Sequence, residues 1–120
     1  MKNLKLLDCT LRDGGYYNSW DFSPDLVQAY LESMTALKVD YVEIGLRSLK
    51  NEGFKGGFAY STDHFLKALD IPNELEGKIG VMVNASELVV KTPGLVSLLE
   101  KLFTASSKSP VSLVRIACHV

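Results

Sequence analysis

The sequence predicts an α/β fold in which four strand–helix (βα) units build one parallel sheet. Short apolar runs alternate along the chain with segments of helical periodicity, and no repeat or low-complexity tract interrupts them. Parallel neighbours need crossover connections, which are right-handed in nearly all proteins. The chain has 120 residues, of which 47% are apolar and 22% charged, so we expect a single domain, 1–120, with a sizeable core.

The first predicted strand is short and ends abruptly in polar residues. Leu4, Leu6 and Leu7 form its apolar part, and we expect them to be buried. The segment from Leu6 to Gly15 reads LLDCTLRDGG, so charged residues follow the strand directly and a glycine pair comes after them. Binding sites in parallel α/β folds lie at the carboxyl ends of strands, which makes this segment the first candidate site.

The charged residues after this strand suit an anionic or metal-bound ligand. Asp13 offers a hard oxygen ligand to a divalent cation, and Arg12 offers a fixed positive fork to an oxyanion or a carboxylate. Gly14 and Gly15 would let a ligand approach the backbone closely. The alternative interpretation is a surface turn in which both charges point into water.

The remaining elements follow from capping signals and apolar periodicity. Ser23 and Pro24 are typical of a helix N-cap and first turn, and they predict a helix over 24–37. Its predicted buried face comprises Leu26, Val27, Tyr30, Leu31, Met34 and Leu37. The other predicted elements are a strand at 39–46, a helix at 62–69, a strand at 79–83, a helix at 95–103 following Pro93, and a strand at 112–120.

Glu43 interrupts the apolar second strand and therefore needs a compensating partner. An unpaired carboxylate is costly to bury unless its pKa shifts. We expect Arg12, at the end of the neighbouring strand, to be this partner, with Lys38 or Arg47 as alternatives. Arg47 has the same strand parity as Glu43 and is a candidate for binding an anionic substrate, although a loop arginine is often simply solvated.

Three further residues are weaker candidates for the site. Asn84 at the tip of the third strand would either hydrogen-bond a substrate or cap the following turn. His119 shares a strand face with Arg115 if the fourth strand is regular, so it has either a site role or none. Tyr16 begins an aromatic loop that would wall a pocket or pack as a plug.

Charge and cysteine content exclude several classes of function. The formal net charge of −1 and the lack of a Lys/Arg cluster argue against nucleic-acid or anionic-membrane binding. No stretch approaches the roughly 20 apolar residues of a membrane span, and the N-terminus is too polar for a secretory signal, so we expect a cytoplasmic protein. Cys9 and Cys118 lack zinc or disulfide spacing and are expected to be buried, reduced thiols.

The LLDCTLRDGG segment resembles the start of the DRE-TIM metallolyases, the HMG-CoA lyase-like superfamily of aldolase and acyltransferase barrels. Within that group it is most similar to the 4-hydroxy-2-oxovalerate aldolase branch. The resemblance continues at 41–46 (YVEIGL), 78–84 and 114–119 (VRIACH). The alternation of elements alone fits either an open doubly wound sheet or part of a barrel. The resemblance favours the N-terminal half of a (β/α)8 TIM barrel.

The resemblance also implies a chemistry, namely making or breaking a carbon–carbon bond of a small-molecule 2-oxo acid through an enolate. Asp13 would be a ligand of a divalent metal, Mn²⁺ or else Mg²⁺ or Zn²⁺, Arg12 would stabilise the enolate, and Glu43 would orient Arg12. The chain departs from the family in two ways. It lacks the His-x-His metal ligands of a late strand, and Tyr16 stands where such aldolases have a histidine, whereas a histidine similar to His119 does end their fourth strand.

A half-barrel leaves unpaired strands at both edges of its sheet. We therefore expect a homo-oligomer or a remainder of the barrel in a longer chain, and an isolated chain that is inactive. Two other functions stay open. One is a Claisen-type acyltransferase that uses acetyl-CoA and a 2-oxo acid, and the other is a non-catalytic half-barrel that serves only for association.

Overall fold

The four strands form one parallel sheet in the order β1-β2-β3-β4. In this computed structural model, which describes residues 3–89 and 94–119, the strands are β1 (Leu7–Asp8), β2 (Tyr41–Leu46), β3 (Ile79–Asn84) and β4 (Val111–Ala117). The predicted parallel α/β fold is thus confirmed. Val120, the last residue of the predicted fourth strand, and Pro93, which precedes a predicted helix, lie outside the described ranges.

Five helices accompany the sheet in the described part of the chain. They are α1 (Thr10–Gly14), α2 (Pro24–Leu37), α3 (Asp63–Ala68), α4 (Ala85–Leu88) and α5 (Leu95–Leu102), with short 3₁₀ turns at Gly15–Tyr17, Gly57–Ala59, Asn73–Leu75 and Ser106–Lys108. No helix within residues 3–89 and 94–119 is both long enough and apolar enough to cross a bilayer.

Helix α2 begins and ends as its sequence signals indicate. The Ser23 Oγ accepts a hydrogen bond from the Leu26 backbone N–H at 3.3 Å, which satisfies one of the free donors of the first turn. Val27, Leu31 and Met34 form its buried stripe. Leu26, like Leu37, is exposed, contrary to the prediction, because each lies about a quarter turn away from Val27 around the helix.

The central strands β2 and β3 are buried almost throughout, which explains their nearly continuous apolar sequences. The prediction of a buried first strand is wrong for Leu4 and Leu6, which are 69% and 57% exposed. Strand β1 lies at the sheet edge and pairs with β2 over two residues, so little of the sheet covers the residues before it. Burial is also wrong for Cys118, which follows the end of β4 and is exposed, whereas Cys9 is half-buried.

Candidate functional site

The charged segment after β1 folds into a helical turn, α1, instead of an open glycine loop. The Asp13 backbone N–H donates to the Cys9 carbonyl at 2.9 Å. The indole Nε1 of Trp20 donates to the Arg12 carbonyl at 2.8 Å, and Trp20 is buried. A Cβ added to Gly15 would lie 1.9 Å from Trp20 Cδ1, so this glycine makes room for the indole and not, as expected, for a ligand.

Helix α1 places Arg12, its middle residue, against Glu43 of β2. The Arg12 Nε donates to Glu43 Oε1 at 2.8 Å, and the Glu43 side chain is completely buried. The expected contact between Arg12 and Glu43 is therefore present. Neither alternative partner, Lys38 or Arg47, forms an ion pair with Glu43 in the described part of the chain.

Arg115 of β4 is a second partner of Glu43, and the sequence interpretation did not assign it to the site. Its Nη2 donates to Glu43 Oε1 at 2.8 Å and its Nε donates to Oε2. The signal that would have found it is a charged residue inside an apolar strand, because Arg115 lies between Val114 and Ile116 of β4 and needs a partner as Glu43 does.

Charge compensation keeps all three groups of this cluster ionised. Burial by itself raises the pKa of Glu43, but the hydrogen bonds from Arg115 and Arg12 outweigh it and hold the pKa below its usual range. Burial likewise works to lower the pKa of Arg12, and Glu43 more than offsets it, so that the pKa is raised. Two guanidinium groups share the buried Glu43 carboxylate, and the carboxylate of Asp13 lies beside one of them, Arg12.

Asp13 lies at the exposed side of this cluster. Its side chain is 71% exposed, and its Oδ1 is 3.4 Å from Arg12 Nη1. In residues 3–89 and 94–119, no three His, Cys, Asp or Glu side chains are grouped as metal ligands. One exposed carboxylate holds a divalent cation weakly, so the residues described here do not by themselves fit a divalent metal ion.

The structure does not bring Arg47 to the cluster. The β2–β3 pairing shifts register between Glu43 and Gly45, a β-bulge that places an extra residue in β2. Past the bulge the alternation of faces shifts by one residue, so the parity prediction fails for Arg47. Arg47 is buried and donates to the Ser61 carbonyl, the Leu102 carbonyl and the Asp63 carboxylate.

The other predicted site residues make no hydrogen bond or ion pair with the cluster in the described part of the chain. Asn84 ends β3 and precedes α4, but its side chain makes no capping hydrogen bond. His119 lies two residues beyond the end of β4 and is exposed. Tyr16 packs edge-on against Trp20, with ring centroids 4.7 Å apart, while 58% of its surface is exposed. In the aromatic loop, therefore, Trp20 acts as a plug and Tyr16 remains available to solvent.

Comparison with known proteins indicates a relationship to aldolases. No protein-family model matches the chain. Over 96 residues, or 79% of its length, the chain is 29% identical to a 4-hydroxy-2-oxovalerate aldolase from Desulfitobacterium hafniense (strain DSM 10664 / DCB-2), and it covers 26% of that protein. A crystal structure of "the N-terminal domain of a putative aldolase" from Bacteroides vulgatus matches 94% of the chain, with 36% identity and a TM-score of 0.69.

The chain covers 35% of that crystallised protein, so it spans about a third or less of the length of both relatives. Its four-stranded parallel sheet is accordingly the fold of the N-terminal part of an aldolase, a partial barrel. The chain is distantly similar to aldolases and corresponds to part of the length of these two relatives.

Proposed function

We propose that this chain supplies the enolate-stabilising arginine of a metal-dependent carbon–carbon lyase that acts on 4-hydroxy-2-oxo acids. The observation that carries the proposal is the fixed position of Arg12. The fully buried Glu43 holds the Nε of Arg12 at the carboxyl end of a parallel sheet. The Nη2 of Arg12 makes no hydrogen bond within the described residues. The similarity to a 4-hydroxy-2-oxovalerate aldolase supports the substrate class.

The proposed reaction develops negative charge on the 2-oxo oxygen of the substrate, which Arg12 would stabilise. The bond between C3 and the hydroxyl-bearing C4 breaks, and its electron pair forms the C2–C3 double bond while the carbonyl π pair moves to the 2-oxo oxygen. Pyruvate enolate and an aldehyde form. A fixed guanidinium stabilises this developing oxyanion without reorganising. The hydroxyl proton must leave to a base, for which Tyr16 and His119 are our candidates, and Asn84 is our candidate for a substrate hydrogen bond.

A divalent cation, Mn²⁺ or else Mg²⁺ or Zn²⁺, belongs to the proposal as a cofactor of the longer protein. Asp13 would be one of its ligands. Because Asp13 alone does not form a metal site, the other ligands would come from outside residues 3–89 and 94–119.

The test is pyruvate release from a panel of 4-hydroxy-2-oxo acids by the full-length protein that contains this chain. We expect Arg12→Lys, which keeps the charge but loses the planar fork, to lower kcat about 10²-fold or more. Asp13→Ala should abolish the response to added Mn²⁺, whereas Asp70→Ala, which removes an exposed carboxylate elsewhere, should leave turnover unchanged.

Two outcomes would contradict the proposal. Release of coenzyme A from acetyl-CoA in the presence of a 2-oxo acid would favour the acyltransferase alternative. Full pyruvate release by the Arg12→Lys variant would remove Arg12 from the proposed role.

A further inference from the structure

Arg115 has no role in the function proposed above, yet it makes the larger share of the contacts to the buried carboxylate. It reaches Glu43 from β4 across the whole width of β3, a separation of about 10 Å between the strands. Glu43 pairs in register with Gly80 of β3, which has no side chain, whereas Arg115 pairs with Met82, two residues further along β3. The Arg115 side chain is 44% exposed and that of Glu43 is buried, so this ion pair connects the rim of the sheet to its interior.

The hydrogen bonds of Arg115 determine how the Glu43 carboxylate is oriented. Arg115 donates from Nε to Oε2 and from Nη2 to Oε1, so both carboxylate oxygens are engaged by one planar fork. Arg12 contributes a single bond to Oε1. If the hydrogen bond from Arg12 were the only one, the Glu43 carboxylate could rotate about its terminal torsion at little cost, because rotation about a terminal sp³–sp² bond has broad minima.

We propose that Arg115 is a positioning residue that clamps Glu43 and thereby fixes the direction in which Arg12 presents its free nitrogens. Arg115 need not touch the substrate to act in this way. The consequence for catalysis rests on the proposed function, but the positioning itself does not. The two parts are therefore tested with separate measurements.

The positioning is tested by NMR of the chain labelled with ¹⁵N at arginine. The chain has three arginines, Arg12, Arg47 and Arg115, so the side-chain Nε–H spectrum is simple. In Arg115→Gln we expect the Arg12 Nε–H signal to shift and its exchange with water to accelerate about tenfold or more. Arg47, which donates from Nε to the Ser61 carbonyl, serves as the internal control and should not change.

The second measurement is a double-mutant cycle on pyruvate release by the full-length protein. Arg115→Gln should lower kcat by about 10- to 100-fold, as expected for a displaced catalytic group, with a much smaller change in KM. In a Glu43→Gln background, the same substitution should change kcat by less than about twofold, because Arg115 would act only through Glu43. Lys108→Gln removes an exposed positive charge near the start of β4 and should have no effect.

Three results would overturn the inference. One is an unchanged Arg12 Nε–H signal in folded Arg115→Gln. Another is that Arg115→Gln lowers kcat by the same factor in the wild type and in the Glu43→Gln background. The last is full activity of Arg115→Lys, because lysine keeps the charge but not the two-nitrogen fork. A protein that releases no pyruvate at all would refute the proposed function and leave the NMR result to decide the positioning.

Discussion

Asp63 joins three parts of the chain through one carboxylate. It pairs with the buried Arg47 and accepts hydrogen bonds at 2.8 Å from Thr104 Oγ1 and Ser109 Oγ. The helix α3 is thereby fixed to the segments that follow α5 and precede β4. Burial tends to raise the pKa of Asp63, but these donors, Arg47 first among them, hold it below its usual range.

Replacing Asp63 with asparagine should therefore destabilise the fold in a pH-dependent way. The variant leaves a buried guanidinium without its counter-charge, so we expect the free energy of unfolding to fall by about 3 kcal/mol at neutral pH. Because the pKa of Asp63 is depressed in the folded protein, the stabilisation by its ionised carboxylate is complete above about pH 4. This stabilisation is lost as the pH falls through the folded pKa. Urea unfolding between about pH 2 and 7 measures it, with the exposed Asp70→Asn as control. A difference between wild type and Asp63→Asn that does not shrink at low pH would contradict this account.

The residue-level contacts differ in how far the sequence could predict them. The pairing of Glu43 with Arg12 was predictable, because a charged residue inside an apolar strand must be compensated and the adjacent strand offers a cation. The position of Arg47 was not, since a bulge between Glu43 and Gly45 reverses its face and no single residue type marks a bulge. Arg115 is recognisable as a charged residue within an apolar strand, but its reach over β3 depends on tertiary geometry.

At the level of elements, the contact between β2 and the 3₁₀ turn Gly57–Ala59 depends on the absence of a side chain at Gly45. A Cβ there would lie 2.2 Å from the Phe58 carbonyl oxygen and 2.4 Å from Ser61 Oγ. We expect Gly45→Ala to lower the melting temperature, with a loss of about 3 kcal/mol in stability. Gly14→Ala is the matched control, because Gly14 is helical (φ −64°, ψ −23°) and has open space around it.

The control substitution, Gly14→Ala, should itself stabilise the protein slightly, by about 0.5 kcal/mol, since alanine restricts the unfolded chain more than glycine does. Equal effects of the two substitutions would show that close packing at Gly45 is not what distinguishes them.

Lys38 ends helix α2 in a left-handed conformation, with φ 54° and ψ 43°. Side chains other than that of glycine are strained there by about 1 kcal/mol. Lys38→Gly should therefore raise the free energy of unfolding by about this amount in denaturant titration. Lys38→Ala removes the same charge but keeps the Cβ, so it should give no such gain. A gain shared by both variants would assign the effect to charge instead of backbone strain.

The helices were easier to predict than the segments at sheet edges. The bounds of α2 follow from a local cap, Ser23, and a local periodicity, both of which act within a few residues. The RDG segment, 12–14, which could have been an open turn, is helical because of its backbone hydrogen bonds and the hydrogen bond from Trp20 to the Arg12 carbonyl. The sequence gives no signal for the contact with Trp20. Strand β1 is shorter than its apolar residues suggest because it has a single described neighbour, β2.

For the whole molecule, the important feature is that the sheet is open. Within residues 3–89 and 94–119, β1 and β4 each pair with one strand, so each leaves one row of backbone groups unpaired. Apolar side chains are exposed beside both edges, among them Leu4 and Leu6 before β1 and Val114 and Ile116 on β4, the last 61% exposed. In a barrel these edges are covered by further strands, and the chain spans about a third or less of its relatives.

We therefore expect the chain, as a protein of 120 residues, to self-associate through these edges. Sedimentation velocity over a concentration series should give a mass above 13.2 kDa that rises with concentration. Ile116→Lys places a charge on the exposed face of the β4 edge and should weaken association about tenfold or more, because charged edges resist pairing. Leu26→Lys adds the same charge at a residue that is 52% exposed in the first turn of α2, outside both edge strands, and should associate like the wild type. Monomeric wild type at every concentration, or equal weakening by both variants, would show that the open edges do not drive association.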